Sequence, residues 1–142
     1  MKAKQNNGRA ILLDKIKEEQ MKAGYVSEAF IADMSKKLKL SIGDVYGVTT
    51  FYSFLSTQPL GRHVIRVCKS VPCCMCDAEM VIDWIRSELE IDPGETSGDG
   101  RFSFELCNCI GACDMAPAML IDDQVYGHLN REKASEILKS YE

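Results

Sequence analysis

The sequence predicts an α/β protein, with a helical N-terminal segment over residues 1–60 and a mixed sheet-and-helix domain over 61–142. Three observations carry that expectation. Apolar residues recur at helical spacing as far as Leu40. Two stretches of strand character, 63–67 and 102–107, are then separated by a well-spaced amphipathic helix. All seven cysteines lie from Cys68 to Cys113, beyond a break at Pro59-Leu60-Gly61-Arg62.

Residues 10–23 place Leu12, Ile16 and Ala23 on one stripe, and Gly24 is a natural stop. Ser27 is suited to cap a second helix running to about Leu40, with Ala29, Phe30, Met34 and Leu38 on its buried side. Ser41-Ile42-Gly43-Asp44 resembles a capping box closed by aspartate and starts a third helix. Residues 45–55 read two ways. Their β-branched and aromatic content suits a strand, while Val48, Phe51, Tyr52 and Leu55 stand at i, i+3, i+4 and i+7. Length and helical neighbours favour the helix.

In the second part, 63–67 is a strand running directly into Cys68, and 78–89 is a helix carrying Met80, Val81, Trp84, Ile85 and Leu89, ended by Asp92-Pro93-Gly94. Residues 94–100 form a loop by composition. Phe102, Phe104 and Leu106 alternate with Ser103, Glu105 and Cys107. Strands at 118–121 and 124–129 join at Asp122-Asp123, and Asn130 caps a last helix over 131–141. The outcome is a small sheet covered by helices, its second strand parallel to the first through a helical crossover.

At 142 residues the chain buries about 70% of its unfolded surface, so it needs no disulfides to hold a core. Seventeen Lys+Arg against 21 Asp+Glu give a formal charge of −4, which argues against nucleic-acid or anionic-membrane partners. No apolar run reaches the roughly 18 residues of a membrane span, and nothing resembles a signal-peptide core. A cytoplasmic location without membrane insertion is expected.

Four cysteines within 68–76 and three within 107–113 are too tightly clustered to be scattered core packing. The loops that follow two parallel strands meet at one end of a sheet, so the crossover brings both clusters together. Converging thiolates call for cations. Cys73-x2-Cys76 has the spacing of a zinc knuckle, whereas Cys68-x4-Cys73 with Cys109-x3-Cys113 suits the two pairs of a [2Fe–2S] cluster. The spacing favours iron–sulfur and leaves zinc open. Cys73-x2-Cys76 also suits a thiol–disulfide enzyme, which would leave Cys109 and Cys113 without a task.

Several motifs in order resemble one family: the stretch 43–52 (GDVYGVTTFY), Cys68-x4-Cys73, Gly94-Glu95-Thr96 leading to Asp99-Gly100, Cys109-Ile110-Gly111-Ala112-Cys113-Asp114 followed by Ala116-Pro117, and Val125-Tyr126-Gly127. They are similar to the thioredoxin-like [2Fe–2S] subunits, the family of the E subunit of NADH–quinone oxidoreductase and of the small subunit of NAD-linked, electron-bifurcating hydrogenases. The resemblance spans about residues 9–140 and implies a thioredoxin-like ferredoxin domain behind the helical segment. Carried over position by position, it implies Cys68, Cys73, Cys109 and Cys113 as cluster ligands. Cys74, Cys76 and Cys107 depart from the pattern and are read as free or packed thiols. Cys74 is a rival to Cys73, and Cys107 a weaker rival to Cys109. Gly111 would let backbone N–H groups approach sulfur, and the acids Asp77 and Asp114 would lower the potential.

His63 and His128 fall in the expected strands and are read as structural. No nucleotide-binding fingerprint, P-loop or catalytic triad is present. The implied role is electron transfer in a flavin-containing NAD(P)-linked oxidoreductase, with FMN and NAD(H) on a partner flavoprotein and with further iron–sulfur or hydrogenase subunits. An electron-bifurcating [FeFe]-hydrogenase is the first expectation. The E subunit of a respiratory NADH–quinone oxidoreductase, or an NAD-linked formate dehydrogenase, is the second, and a zinc-stabilised interaction module is the reading from another class. Tyr46, Phe51 and Tyr52 are expected in the helical core, with partner docking as the alternative.

Overall fold

The computed structural model describes residues 3–141. The chain divides into two compact units between Pro59 and Leu60.

The first unit contains helices α1 (Ala3–Ala23), α2 (Glu28–Leu38) and α3 (Ile42–Phe51). Local chemistry sets their ends. The Ser27 hydroxyl accepts from the Phe30 amide at 3.2 Å. Ser41 Oγ accepts from the Asp44 amide at 3.0 Å, which caps α3, and donates to the Asp44 carboxylate at 2.7 Å. Leu12, Ile16, Val26, Ile31, Met34 and Val45 form the core, each contributing on the order of 1.5–3 kcal/mol by leaving water.

The stripes differ in detail from the sequence expectation. Ala23 and Ala29 are exposed, and Ile31 takes the buried place on α2. Helix α3 ends at Phe51, so Tyr52 and Leu55 lie beyond it. Its buried side is Val45 and Thr49; Thr49 is tolerated there because its hydroxyl donates to the Val45 carbonyl at 2.9 Å. Tyr46 and Phe51, one and six residues beyond Val45, lie roughly 100° and 120° round the helix on either side. The core expectation for the aromatics is therefore overturned: Tyr46, Tyr52 and Phe51 are exposed, Phe51 by 80%.

The second unit contains β1 (His63–Cys68), α4 (Val71–Met75), α5 (Ala78–Leu89), β2 (Phe102–Cys107), β3 (Met119–Ile121), β4 (Gln124–Tyr126) and α6 (Arg131–Lys139). The sheet order is β2-β1-β3-β4. Strands β1 and β2 run parallel, and β3 is antiparallel to both β1 and β4. Together with the helices this is the thioredoxin-like ferredoxin fold. Alternation turns Ile65, Val67, Phe102, Phe104, Met119 and Ile121 toward Val81, Trp84 and Ile85 of α5 and Ala134, Ile137 and Leu138 of α6. Asn130 caps α6 by accepting from the Lys133 amide at 2.8 Å.

Three differences concern loops. Cysteines 73 and 74 stand on the single turn of α4, which has Pro72 in its first positions, rather than in an open loop. Strand β4 stops at Tyr126, so His128 lies outside it, exposed and at φ 50°. The 94–100 segment hydrogen-bonds back to β2, as in Ser97 N–H to the Phe102 carbonyl at 2.7 Å, and covers that sheet edge. His63 is structural as expected: its Nδ1 lies 2.8 Å from Asp122 Oδ2. No described helix is long and apolar enough to cross a membrane.

The hydroxyls of Tyr126 and Tyr141 share a 2.9 Å hydrogen bond. That contact, with burial, pushes the Tyr141 phenol up to about 12 from its ordinary 10. A value raised by folding means stability that is complete below the unfolded value and is lost as pH rises through the folded one. The stability gap between the natural chain and Tyr126→Phe, measured by urea denaturation, is therefore expected to shrink between about pH 10 and about pH 12. A gap independent of pH would contradict the contact.

Candidate metal centre

Parallel pairing delivers the cysteines. The register of β1 and β2 sets Cys68 beside Cys107 at their C-terminal ends. Lys69 N–H donates to the Cys107 carbonyl at 2.9 Å and Cys68 N–H to the Ala118 carbonyl at 3.2 Å, fixing where both chains leave the sheet. Cys68, Cys73 and Cys107 are buried with Ala78, Ala112 and Ala118, and Ile110, Met115 and Ala116 pack against them. Small side chains leave the sulfurs room. Cys109 and Cys113 stand exposed on the second loop with their sulfurs 3.3 Å apart. Gly111, at φ 84°, occupies the left-handed region that favours glycine, and its N–H donates to Cys109 Sγ at 3.4 Å.

Electrostatics link the two loops. Burial pushes the Cys68 thiol up, but a backbone hydrogen bond from Ser70, then those from the Cys73 thiol, the Ser70 hydroxyl and the Ile110 amide, bring it below its ordinary value. Cys73 is pushed up to about 11 by burial, and the negative charges of Cys68 and Cys113 act in the same direction. Cys113 is raised chiefly by its hydrogen bond with Cys109 and also feels Cys68. Cys107 is pushed up to about 11, first by burial and next by the charge of Cys68. The first loop thus favours one thiolate, held by amides and a neighbouring thiol.

The four cysteines expected as ligands are thereby brought together as two pairs, Cys68 with Cys73 and Cys109 with Cys113. Among the described residues, no three Cys, His, Asp or Glu side chains are grouped as a single metal ion requires. Two pairs of sulfurs fit a two-iron cluster, which takes two thiolates on each iron. Of the three remaining cysteines, Cys107 shares the buried cluster with Cys68 and Cys73. Cys74 is exposed and donates to the Lys69 carbonyl at 3.3 Å. Cys76 is exposed, and Cys107 lies in the strand against Cys68.

Sequence reasoning missed two supports. Gly127 passes so close to the second loop that an added Cβ would stand 2.7 Å from the Met115 carbonyl oxygen. Arg66 and Glu105 pair across β1 and β2, Nε to Oε2 at 2.9 Å. Opposite charges at alternating positions of the two strands were the available signal for that pair, but it needs the register.

Comparison with known proteins shows the family. The family model for the thioredoxin-like [2Fe–2S] ferredoxin matches residues 1–142. The E subunit of NADH-quinone oxidoreductase from Pseudomonas aeruginosa is 38% identical over 133 residues, covering 94% of this chain and 80% of that protein. The NADP-reducing hydrogenase subunit HndA of Solidesulfovibrio fructosivorans is 33% identical over 114 residues, covering 80% of this chain and 65% of that protein. In fold, the chain superposes on the crystal structure of an NAD+-reducing [NiFe]-hydrogenase in the air-oxidized state with a TM-score of 0.75. The sequences there are 20% identical, and the match covers 89% of this chain and 22% of the hydrogenase chain.

Two outcomes follow from the geometry. Brief alkylation of the metal-free, reduced chain, read by peptide mass spectrometry, is expected to label Cys74, Cys76, Cys109 and Cys113 well before Cys68, Cys73 and Cys107; uniform labelling would contradict the buried pocket. Gly127→Ala is expected to lower stability by about 1–3 kcal/mol in denaturant unfolding, because the new methyl overlaps Met115.

Proposed function

The chain belongs to the thioredoxin-like [2Fe–2S] ferredoxin family, and from that premise we propose that it is the electron-transfer subunit of a flavin-containing, NAD(P)-linked oxidoreductase complex. We assign Cys68, Cys73, Cys109 and Cys113 as the cluster ligands. The observation that carries this assignment is the pairing of buried Cys68 and Cys73 on one loop with Cys109 and Cys113, 3.3 Å apart, on the other. When bound, the cluster supplies reversible one-electron chemistry at sulfur-held iron.

The protein's own part is positional and electrostatic. Ala78, Ala112 and Ala118 keep water from Cys68 and Cys73. The Gly111 and Ile110 amides direct N–H groups at Cys109 and Cys68 sulfur, which stabilises negative charge there. Cys109 and Cys113 are on the exposed side, where an electron partner can approach. The chain carries no nucleotide-binding motif, so hydride chemistry is assigned to FMN and NAD(H) on a partner flavoprotein. The exposed Tyr46, Phe51 and Tyr52 are available as anchors for an interface with other subunits. A cytoplasmic location goes with this reading, since seven cysteines without a disulfide suit a reducing compartment.

Two parent complexes suit such a subunit. An electron-bifurcating [FeFe]-hydrogenase, with further iron–sulfur or hydrogenase subunits, is the first, and the hydrogenase relative supports that type of assembly. A respiratory NADH–quinone oxidoreductase is the second, and the higher identity over a longer span favours it. Affinity purification of the native complex, followed by identification of its subunits, separates the two.

Chain purified without oxygen and with full iron supply is expected to show iron–sulfur absorption. Cys68→Ser, Cys73→Ser, Cys109→Ser and Cys113→Ser should each lose or strongly alter it, while Cys74→Ser, Cys76→Ser and Cys107→Ser retain it. A colourless natural chain that binds zinc would end this reading. Bleaching by Cys107→Ser alone would move one ligand.

A further inference from the structure

The partly buried cross-strand ion pair next to the cysteines has no role in the ligand set. Strand alternation puts Arg66 on the same face of β1 as Cys68, and Glu105 on the same face of β2 as Cys107. The register aligns the two rows, Arg66 with Glu105 and Cys68 with Cys107. Two residues of strand separate the rows, about 6.6 Å. The Arg66 side chain is 8% exposed and that of Glu105 27%, so neither charge is fully screened by water. The opposite face of the same strands, with Ile65, Val67 and Phe104, is apolar core. A buried charged pair adds little net stability compared with apolar residues of similar size, and register alone does not require one.

Resting on the ligand assignment above, we propose that Arg66 and Glu105 tune the cluster as an opposed pair, Arg66 raising its midpoint potential and Glu105 lowering it. Reduction adds one electron, and with it one unit of negative charge, to a cluster already surrounded by thiolates. A fixed cation close by stabilises that added charge, and a fixed anion opposes it. Cys68 stands two residues beyond Arg66 on the same face of β1, and Cys107 two residues beyond Glu105 on the same face of β2. The guanidinium is the more buried partner, and it lies on the strand that ends in Cys68 itself. Arg66 and Glu105 are positioning residues: they touch neither iron nor substrate and act through the field at the sulfurs.

The test is a redox titration of the full-length chain, purified without oxygen, poised with dithionite and ferricyanide through mediators and followed by electron paramagnetic resonance. Dithionite supplies the single electron. Arg66→Gln is expected to shift the midpoint to more negative values, Glu105→Gln to more positive ones, and the charge-keeping Arg66→Lys to stay near the natural chain. The spectral shape should be retained in all three, because the ligands are untouched. Shifts of the same sign in both glutamine variants would mean a merely structural role and overturn the proposal, as would no shift in Glu105→Gln. If Arg66→Gln does not fold, Glu105→Gln decides alone by an upward shift or its absence. Failure of the ligand assignment is separate, because it is read from the cysteine-to-serine series, and failure of the iron–sulfur reading from a natural chain without any cluster signal.

Discussion

The parallel pairing of β1 with β2 is the constraint from which the site follows. Every backbone bond of that ladder aligns a residue before the first ligand loop with one before the second, ending with Cys68 beside Cys107. Parallel strands exit a sheet at the same end, so the chain returns through α5 with both loops already neighbours. A slip of one residue would reverse the faces, sending Cys68 toward Trp84 and Ile85 and bringing Val67 to the sulfur pocket. Register is held against such a slip by the apolar face and by Ser103, whose hydroxyl accepts from the Gly61 amide at 2.7 Å.

Within the pocket, two demands oppose each other. Sulfur that is to hold metal must be able to lose its proton, yet burial penalises the thiolate. The loops resolve this by directing backbone amides at Cys68 while leaving Cys73 and Cys107 as thiols in the metal-free chain. Cys109 and Cys113 stand in water instead, with their sulfurs 3.3 Å apart. One half of the site is thus dry and pre-shaped, and the other half is open. This asymmetry suits electron exchange, since it shelters the centre on one side and leaves a short approach on the other.

The N-terminal unit is packed differently. Among its described residues the buried side chains are mainly aliphatic, and the aromatic residues of α3 and the turn after it, Tyr46, Phe51, Tyr52 and Phe54, are exposed. Large apolar side chains left in water are costly to retain unless something covers them, which is why their exposure bears on assembly more than on folding.

How much of this was legible in the sequence can be judged residue by residue. The serine caps at 27 and 41, the helix over 78–89 and the hairpin at Asp122-Asp123 are local chemistry, settled within a few positions of the chain. The cysteine spacing favoured iron–sulfur over zinc without deciding between them, and the resemblance of several motifs, from residues 43–52 to Val125-Tyr126-Gly127, pointed to the family. What the linear order of residues does not contain is which side of a short helix faces the core: on α3 Phe51 is exposed where periodicity put it on the stripe, and on α2 Ile31 is buried while Ala29 is exposed, because helices of about three turns leave the choice of stripe to their neighbours. The close approach of Gly127 to Met115, the alignment of Arg66 with Glu105 and the location of Cys107 against Cys68 were decided only by the tertiary structure. Each joins positions far apart in the chain, and their distance in space depends on strand order and register, which no local propensity encodes.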